Sequence, residues 1–353
     1  MLRREKVVVA MSGGVDSSVT AGLLVEQGYD VEGVSLRLWE GGREEPRNCS
    51  DHHGAANVAA LLGIPHTLID ARAEFAESVA RPFVAAYLAG RTPNPCVACN
   101  RDFKLGVLLD WAKAHGADYV ATGHYARVSR NAETGRASLA RGADRIKDQS
   151  YFLFALSQEQ LASTFFPLGD LEKTQVRGAA RRLGLPVADR PESQDVCFGD
   201  YRTFVESHAD PGNLQGGEII DRAGNVLGRH RGLHRLTVGQ RKGLGISSPR
   251  PLYVLEMDET TRRVVVGEKE ELGVRGLVAR SMNWIEPPGG EFSAEVQVRY
   301  RSSAAPCRVR IHDDGTCEAR FEEAFPSVTP GQAAVFYDGD RVLGGGWIEK
   351  ALQ

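Results

Sequence analysis

The fold of the N-terminal half is decided by the stretch Val7-Val8-Val9-Ala10-Met11-Ser12-Gly13-Gly14-Val15-Asp16-Ser17-Ser18. Three consecutive valines predict a buried strand, and the apolar spacing from Ser17 to Gln27 predicts a helix. Between them, two adjacent glycines let the backbone curl until amide N–H groups converge, while the serines add hydroxyl donors. A loop of this kind at a helix N-terminus binds anions. The alternative is a plain glycine-rich turn. The lysine of the G-x-x-x-x-G-K-[ST] pattern is absent, which excludes a γ-phosphate-transferring loop.

Short apolar strands alternate with helical segments through the first half of the chain. Further strands are predicted at residues 31–36, 67–69 and 119–121, with helices at residues 55–62, 75–88 and 105–115. This alternation predicts an α/β fold with a doubly wound parallel sheet. Helices are expected to dominate from there to about Leu183. Because ligands of such sheets bind at the carboxyl ends of the strands, Leu36 and Gly123 are expected near the ligand.

The pattern changes after about residue 200. Alternation of apolar and polar residues becomes frequent, and turns are predicted at residues 313–315 and 337–340. These features predict a small C-terminal antiparallel β-domain, either a barrel or a sandwich, and of the two we expect the β-barrel. We therefore expect three domains: a catalytic nucleotide-binding domain over residues 1–200, a small central domain over 201–272, and the barrel over 273–353.

The composition is that of an ordinary soluble protein. The chain has 353 residues, a formal net charge of −3, 42% hydrophobic and 25% charged residues. Neither a membrane span nor a secretory signal is expected, because the apolar run after the basic start is too short. A cytoplasmic protein is therefore predicted. Near-neutral charge excludes a bulk polycation but leaves room for a local basic face.

Three cysteines stand in patterns that indicate chemistry. Cys96 and Cys99 form a C-x-x-C pair within Thr92-Pro93-Asn94-Pro95-Cys96-Val97-Ala98-Cys99-Asn100. The prolines predict a shaped loop before a helix, and Cys99 near the helix start is expected to have a lowered thiol pKa. The pair alone is compatible with a redox pair, half a metal site or chance. The remaining ligands of a zinc site are available from Cys49, His52 and His53.

The third cysteine, Cys197, lies in the polar stretch Glu192-Ser193-Gln194-Asp195-Val196-Cys197-Phe198-Gly199-Asp200. The S-G-G-x-D-S loop resembles that of ATP pyrophosphatases, which cleave ATP between the α and β phosphates and adenylate an oxygen of the substrate. A cysteine persulfide is a nucleophile able to displace that activated oxygen, and a second cysteine can resolve the resulting disulfide. Asp16 is a candidate Mg²⁺ ligand or a residue that positions the loop; an N-cap is the simpler alternative.

The chain as a whole resembles the bacterial tRNA-specific 2-thiouridylases, which make 2-thiouridine at the wobble position of tRNA. The resemblance rests on SGGVDSS, TPNPCVACN, ATGHYAR, KDQSYFL, SQDVCF, TVGQRKGLG and PGQAAVFY, which occur in this order. It implies that ATP adenylates the C2 oxygen of uridine 34, with Cys99 as the nucleophile and Cys197 as the persulfide carrier. The sulfur on Cys197 then attacks C2 or is released by Cys99 to do so. A Cys99–Cys197 disulfide would remain until it is reduced.

The resemblance also implies binding residues and partners. It assigns ATP to Ala10, Met11, Ser12, Gly13, Gly14, Val15, Asp16, Ser17, Leu36 and Gly123. It assigns tRNA contacts to Asn94, Pro95, Cys96, His124, Lys147, Asp148, Gln149, Arg299, Tyr300 and Gln332. The implied partners are the anticodon loops of the tRNAs for Lys, Glu and Gln, and a cysteine desulfurase or sulfur-relay protein.

One position departs from the pattern of many members, which have Asp where this chain has Cys96. The departure puts an acid/base role of that position in doubt. It also leaves open an iron–sulfur cluster with Cys96, Cys99 and Cys197 as ligands.

Basic segments support an RNA partner independently of the resemblance. Residues 228–242 contain four arginines and a lysine without an acid, and residues 125–150 are also rich in arginine. Such residues are able to contact phosphates, although any one of them is equally compatible with a solvated surface. Three alternatives stay open: an ATP pyrophosphatase that forms amides from ammonia, an RNA-binding protein with structural ATP, and a zinc-bound regulatory module.

Overall fold

The computed structural model describes residues 4–39, 51–191, 199–286 and 288–353. The chain divides into two compact units. The first contains the chain up to Val79, Cys96 to Gly199, and Asp340 to Leu343, and the second contains Ala80 to Pro95, Asp200 to Gly339, and Gly344 to Gln353. The three domain limits expected from the sequence stay a prediction, since this division is coarser.

A parallel five-stranded sheet forms the centre of the first unit, in the spatial order β3-β2-β1-β4-β7. Its strands are β1 (Lys6–Ala10), β2 (Asp30–Arg37), β3 (His66–Asp70), β4 (Tyr119–Ala121) and β7 (Thr164–Phe165). Val7, Val8 and Val9 are fully buried because β1 is central and covered on both faces. The predicted doubly wound parallel sheet is thereby confirmed.

The helices lie between these strands and continue into the second unit. The α-helices of the described residues are α1 (Val15–Glu26), α2 (His52–Leu62), α3 (Arg72–Phe75), α4 (Arg81–Leu88), α5 (Pro95–Ala98), α6 (Leu108–Ala114), α7 (Gln158–Ala162), α8 (Lys173–Arg182) and α9 (Tyr201–His208). Two π-helices, Ala76–Ala80 and Cys99–Val107, join α3 to α4 and α5 to α6.

A β-hairpin lies in the segment where the sequence predicted that helices dominate. It consists of β5 (Ala126–Arg130) and β6 (Ala137–Arg141), joined by a turn in which Asn131 Oδ1 accepts the amides of Glu133 and Thr134, each at 2.9 Å. The expectation of helices up to Leu183 was therefore wrong over this segment. Its physical reason is the asparagine turn, which sets two short strands in antiparallel register.

The first unit also takes in a short segment from near the C-terminus. Arg341 and Val342 pair with Ala140 and Leu139 of β6. The preceding Asp340 accepts a 2.8 Å hydrogen bond from Arg127 and forms an ion pair with Arg145. The hairpin thus gains a third strand from a distant part of the chain.

The second unit combines a small sheet with a barrel. The small sheet has the order β10-β11-β8-β9, and the barrel order is β12-β15-β14-β13-β16-β17, closed by pairing of β12 with β17. The strands are β8 (Gly217–Ile220), β9 (Val226–His230), β10 (Tyr253–Met257), β11 (Val264–Gly267), β12 (Val274–Trp284), β13 (Glu291–Gln297), β14 (Ala305–Ile311), β15 (Cys317–Phe325), β16 (Ala333–Asp338) and β17 (Arg341–Leu352). The predicted antiparallel barrel is confirmed, with turns at the two predicted places.

Helices α4 and α9 pack through aromatic rings within this second unit. Tyr87 and Tyr201 stack with centroids 4.7 Å apart, and Phe83 meets Phe204 edge-on at 6.1 Å. Within the described ranges, no helix has the length and apolar character needed to cross a bilayer.

Candidate active site

The loop between β1 and α1 has the geometry of an anion cradle. Gly13 adopts a positive φ of 75°, and a Cβ there would lie 2.4 Å from the carbonyl oxygen of Asp51, so only glycine fits. Gly14 is the N-cap of α1. Ser12 N donates to Ser17 Oγ at 3.1 Å, and the two hydroxyls are 3.2 Å apart. The loop is therefore held by its own serines, with the helix N-terminus beside it.

A cavity of about 190 Å³ opens beside this loop, in the first unit. Its wall contains residues predicted for the nucleotide, namely Ala10, Met11, Ser12, Asp16, Ser17, Leu36 and Gly123, and two predicted for tRNA, His124 and Gln149. The wall also contains Val34, Leu38, Lys104 and Thr122, which the sequence analysis did not single out. Gly13, Gly14 and Val15 shape the loop without lining the cavity. The cavity thus offers polar donors at the loop and an apolar surface along β2.

Gly123 explains why β4 can come so close to the loop. A Cβ at Gly123 would lie 2.8 Å from both the carbonyl carbon of Asp16 and the amide nitrogen of Ser17. Any side chain would therefore push the strand away from the helix N-terminus. The sequence prediction that Gly123 belongs to the crevice agrees with this position.

Asp16 is held by two residues, Lys173 and Tyr125, that no sequence motif marked as its partners. Lys173 donates to its two carboxylate oxygens at 2.7 and 2.8 Å, and the Tyr125 hydroxyl donates to Oδ1 at 2.7 Å. Lys173 is buried, with 9% of its surface exposed, and lies at the start of α8. The carboxylate is thereby fixed and neutralised, and since Gly14 is the N-cap, capping is not the role of Asp16.

The surroundings of Asp16 do not fit a protein-built magnesium site. An ammonium group already binds both oxygens, and Asp16 is the only acid among the described residues of the cavity wall. Across the described ranges, no group of three or more histidine, cysteine or acidic side chains is arranged to hold an ion. We therefore interpret Asp16 as the residue that positions the loop.

A second ion pair supports the outer side of the loop. Arg190 Nη1 donates to Gly13 O at 3.0 Å and to Asp51 Oδ2 at 2.6 Å. Asp51 also caps α2 through a 2.9 Å bond from Gly54 N. The conformation of the loop therefore depends on Asp51 and Arg190, which lie far from it and from each other in the sequence.

The cysteine pair lies on a helix and not on the loop that the sequence predicted. Helix α5 begins at Pro95, where a proline fits because the first helical amide needs no partner. Cys99 consequently lies one turn inside the helical segment and is 5% exposed. Burial raises the pKa of the Cys99 thiol, although Lys104 opposes this, and burial raises the pKa of Cys96 to about 11. The expected lowering of the Cys99 pKa was therefore wrong.

The π-helix Cys99–Val107 depends on two neighbours. A Cβ at Gly106 would lie 2.7 Å from the carbonyl oxygen of Arg101, five residues earlier. Gln160 Nε2 donates to the carbonyl oxygens of Arg101 and Leu105 at 2.6 and 2.7 Å. The wider turn is thus permitted by a glycine and held by a side-chain amide. Such segments occur often at functional sites.

Replacing Gly106 by alanine tests this packing. Because the added methyl group would overlap the Arg101 carbonyl, Gly106→Ala is expected to lower the free energy of unfolding by roughly 1–3 kcal/mol. Gly178→Ala is the matched control, since Gly178 also lies in a helix but has open space around it. Urea unfolding of both variants measures the difference, and equal stability of the two would contradict the close approach.

His124 is a buried neutral residue of the cavity wall. Its Nδ1 hydrogen-bonds to Thr122 Oγ1 at 2.7 Å. Burial, followed by the charge of Lys104, holds the pKa of His124 well below its usual value. The imidazole is therefore uncharged at neutral pH, which suits hydrogen bonding to a base better than binding a phosphate.

The other residues predicted for tRNA differ in their surroundings. Asp148 is buried and accepts bonds of 3.0 to 3.1 Å from Gly142 N, from Ser150 N and Oγ, and from Arg141, so its carboxylate is engaged within the fold. Gln149 Oε1 accepts from Tyr125 N at 3.1 Å. Lys147 precedes them in the chain and is half-buried, and its amide donates to Asp144 Oδ1 at 3.1 Å.

Five predicted tRNA residues belong to the second unit: Asn94, Pro95, Arg299, Tyr300 and Gln332. Gln332 Nε2 donates to the Thr92 carbonyl at 2.8 Å, which ties the barrel to the loop of Asn94. Arg299 donates to Thr329 Oγ1 at 3.4 Å. Their roles stay predictions, as do those of Cys49 and Cys197, which lie outside the described residues.

Comparisons with known proteins cover the whole chain. Residues 5–200 match the family described as tRNA methyl transferase HUP domain, residues 202–268 its PRC-barrel domain, and residues 274–348 an aminomethyltransferase beta-barrel domain. The tRNA-specific 2-thiouridylase MnmA of Geotalea uraniireducens is 50% identical over 363 residues, covering 99% of this chain and 96% of the relative.

Two further relatives carry the same name. The protein of Geobacter metallireducens is 50% identical, covering 99% of this chain and 98% of its own, and that of Picosynechococcus is 49% identical with 98% of both covered. Similarity of this extent, over all three matched domains, shows that the chain belongs to the tRNA-specific 2-thiouridylase family.

Proposed function

We propose that this protein uses ATP to convert uridine at wobble position 34 of tRNA to 2-thiouridine. One observation carries the proposal. A single cavity is lined both by the loop between β1 and α1, here called the phosphate loop, and by Lys104, which lies on the helical segment that begins with Cys99. An oxygen-activating site and a sulfur nucleophile are thereby within one unit of the fold. The full-length similarity to named 2-thiouridylases supports the same chemistry.

The first step activates the base. The C2 oxygen of uridine attacks the α-phosphorus of ATP, the bond to the β-phosphate oxygen breaks, and pyrophosphate leaves. Ser12, Ser17 and the amides at the start of α1 hold the pyrophosphate, and Asp16, fixed by Lys173, keeps the loop in shape. The base must leave its stack to reach this cavity, as for other enzymes that modify bases.

The second step replaces oxygen by sulfur. The terminal sulfur of a Cys197 persulfide attacks C2, and the C2–O bond breaks with release of AMP. The Cys99 thiolate then attacks the Cys197 sulfur, which releases 2-thiouridine and leaves a Cys99–Cys197 disulfide. A cellular dithiol must reduce this disulfide, and a persulfide donor must reload Cys197. The persulfide role of Cys197 comes from the family resemblance.

Sulfur transfer suits the site better than methyl transfer, which the description of the matching family names. A methyl transfer has no need of a loop for pyrophosphate or of an activated oxygen. An amide-forming relative would need ammonia and would leave Cys99 unused. The two alternatives therefore differ from our proposal in product and in cosubstrate.

The decisive experiment combines pyrophosphate release with mass spectrometry of tRNA nucleosides. With ATP, a persulfide donor, a dithiol and unmodified tRNA for Lys, Glu or Gln, we expect equal amounts of pyrophosphate and 2-thiouridine. In the control, the protein with ATP and ammonia but without tRNA should release no pyrophosphate. Methylated uridine, or ammonia-dependent turnover, would contradict the proposal.

Partners and location are part of the proposal. We infer that the tRNAs for Lys, Glu and Gln are the substrates, that a cysteine desulfurase or sulfur-relay protein is the donor, and that the protein acts in the cytoplasm. The iron–sulfur alternative, with Cys96, Cys99 and Cys197 as ligands, is a competing account of the sulfur step only. Iron analysis of protein purified without oxygen distinguishes the two accounts.

A further inference from the structure

Lys104 is the cation of the cavity that has no assigned role. It lies five residues after Cys99 in the π-helix Cys99–Val107. In a π-helix the amide of one residue bonds to the carbonyl five positions earlier, as Leu108 N does to Phe103 O, so residues five apart lie on the same face. Lys104 and Cys99 therefore share a face, which an α-helix would not give them.

The same side chain reaches the nucleotide cavity. Lys104 is half-buried and lies in the wall together with Ser12, Ser17 and His124. Its positive charge opposes the rise in the pKa of Cys96 and of Cys99 that burial causes, and it adds to the lowering of the pKa of His124. Lys104 thus belongs both to the cavity wall that contains Ser12 and Ser17 and to the helical segment that begins with Cys99.

The ammonium of Lys104 has no fixed counter-ion in the described parts of the chain. Lys173, by contrast, is bound by both oxygens of Asp16, and Arg190 is bound by Asp51. No carboxylate of the described residues lies within 4.0 Å of Lys104 Nζ. A half-buried cation without a partner is a ready site for an anionic ligand.

The order of groups in the reaction identifies that ligand. In the adenylated base, the α-phosphate joins the C2 oxygen to the adenosine, and the departing pyrophosphate lies toward the phosphate loop. The group between the loop and the sulfur nucleophiles is therefore the α-phosphate. This step rests on the proposed function.

We propose that Lys104 binds the α-phosphate of ATP and of the adenylated uridine, and that it stabilises the charge on AMP as this group leaves. It thereby takes the place of the lysine that the glycine loop lacks, but from a different element and toward a different phosphate. The role concerns phosphate recognition and needs no change in protonation.

Binding of AMP and of adenosine tests the proposal without turnover, because the two ligands differ only in the α-phosphate. When binding is measured by calorimetry, Lys104→Met should lower the affinity for AMP about 10–100-fold and change the affinity for adenosine by no more than about 2-fold. Lys104→Arg should retain part of the AMP affinity. The assignment of Lys104 to the α-phosphate would be overturned if the substitution lowered both affinities equally. It would also be overturned if the wild-type protein bound AMP and adenosine with equal affinity.

Turnover provides the second readout. Lys104→Met should lower kcat for tRNA-dependent pyrophosphate release roughly 100-fold with little change in KM for tRNA. Lys113→Met is the matched control, because Lys113 pairs with Glu159 on the outside of the same unit, and it should change neither readout. Failure of the wild type to make 2-thiouridine would refute the proposed function, whereas the AMP-to-adenosine comparison would still decide the role of Lys104.

Discussion

Cys99→Ser is expected to lower the yield of 2-thiouridine at least about 1000-fold, while pyrophosphate release in a single turnover stays within a few-fold of wild type and then stops at about one equivalent per enzyme. The hydroxyl cannot resolve a disulfide, so the sulfur stays on the enzyme-bound intermediate. Cys197→Ser should be equally inactive, and the double variant should be no worse than either, because the two cysteines act as a unit. Nucleoside mass spectrometry and pyrophosphate assays on the same samples separate the two steps.

Cys96 supplies the contrast for this experiment. The relay has no third sulfur step, so Cys96→Asp should keep a substantial part of the yield, whereas Cys99→Asp should keep none. An iron-containing wild type that loses both iron and activity on Cys96→Asp would favour the cluster. It would leave the adenylation step intact.

The burial of Cys99 also sets the pH dependence of the sulfur step. Because burial raises its pKa, the thiol form dominates at neutral pH, and the reactive thiolate increases as the pH rises toward that pKa. Single-turnover sulfur transfer should therefore accelerate about tenfold per pH unit on the acidic side. A rate independent of pH would show that resolution by Cys99 is not limiting.

Asp16→Ala should lower pyrophosphate release at least about 100-fold and should also destabilise the fold. The loss of activity follows from the release of the loop, and the loss of stability from the buried ammonium of Lys173, left without a partner. Removing one member of such a pair costs on the order of 3 kcal/mol. Urea unfolding and a pyrophosphate assay measure the two effects.

The double variant Asp16→Ala with Lys173→Met distinguishes the two causes. Taking away the orphaned charge should recover part of the stability but none of the activity. If Asp16→Ala alone proved as stable as wild type, the ion pair would contribute nothing to the fold. Full turnover in either variant would remove the loop from the mechanism.

Local patterns predicted the central strand, the glycine loop that follows it and the barrel, because each is specified by neighbouring residues. Contacts across long separations could not be predicted in this way. Lys173 and Tyr125 hold Asp16 from 157 and 109 residues away, and Arg190 reaches Gly13 across 177 residues. No periodicity or motif marks these partners.

The helical segment that contains Cys96 and Cys99, here called the cysteine helix, shows a different limit of sequence-based prediction. Pro95 suggested a loop, yet a proline at the first position of a helix is well tolerated. The π-helix has no compositional signature, so the shared face of Cys99 and Lys104 could not be inferred from spacing. Gly106 is the residue that permits the π-helix, but its importance follows only from the close approach of the Arg101 carbonyl, which the sequence does not show.

The pairing of Arg341 and Val342 with β6 has a consequence for protein synthesis. A ribosome makes the phosphate loop, the cysteine helix and the hairpin long before it reaches Asp340, so during most of translation β6 presents an open strand edge. Such edges invite pairing with other chains. Completion of the catalytic unit must therefore await nearly the whole polypeptide, and protein shortened from the C-terminus would lose this strand.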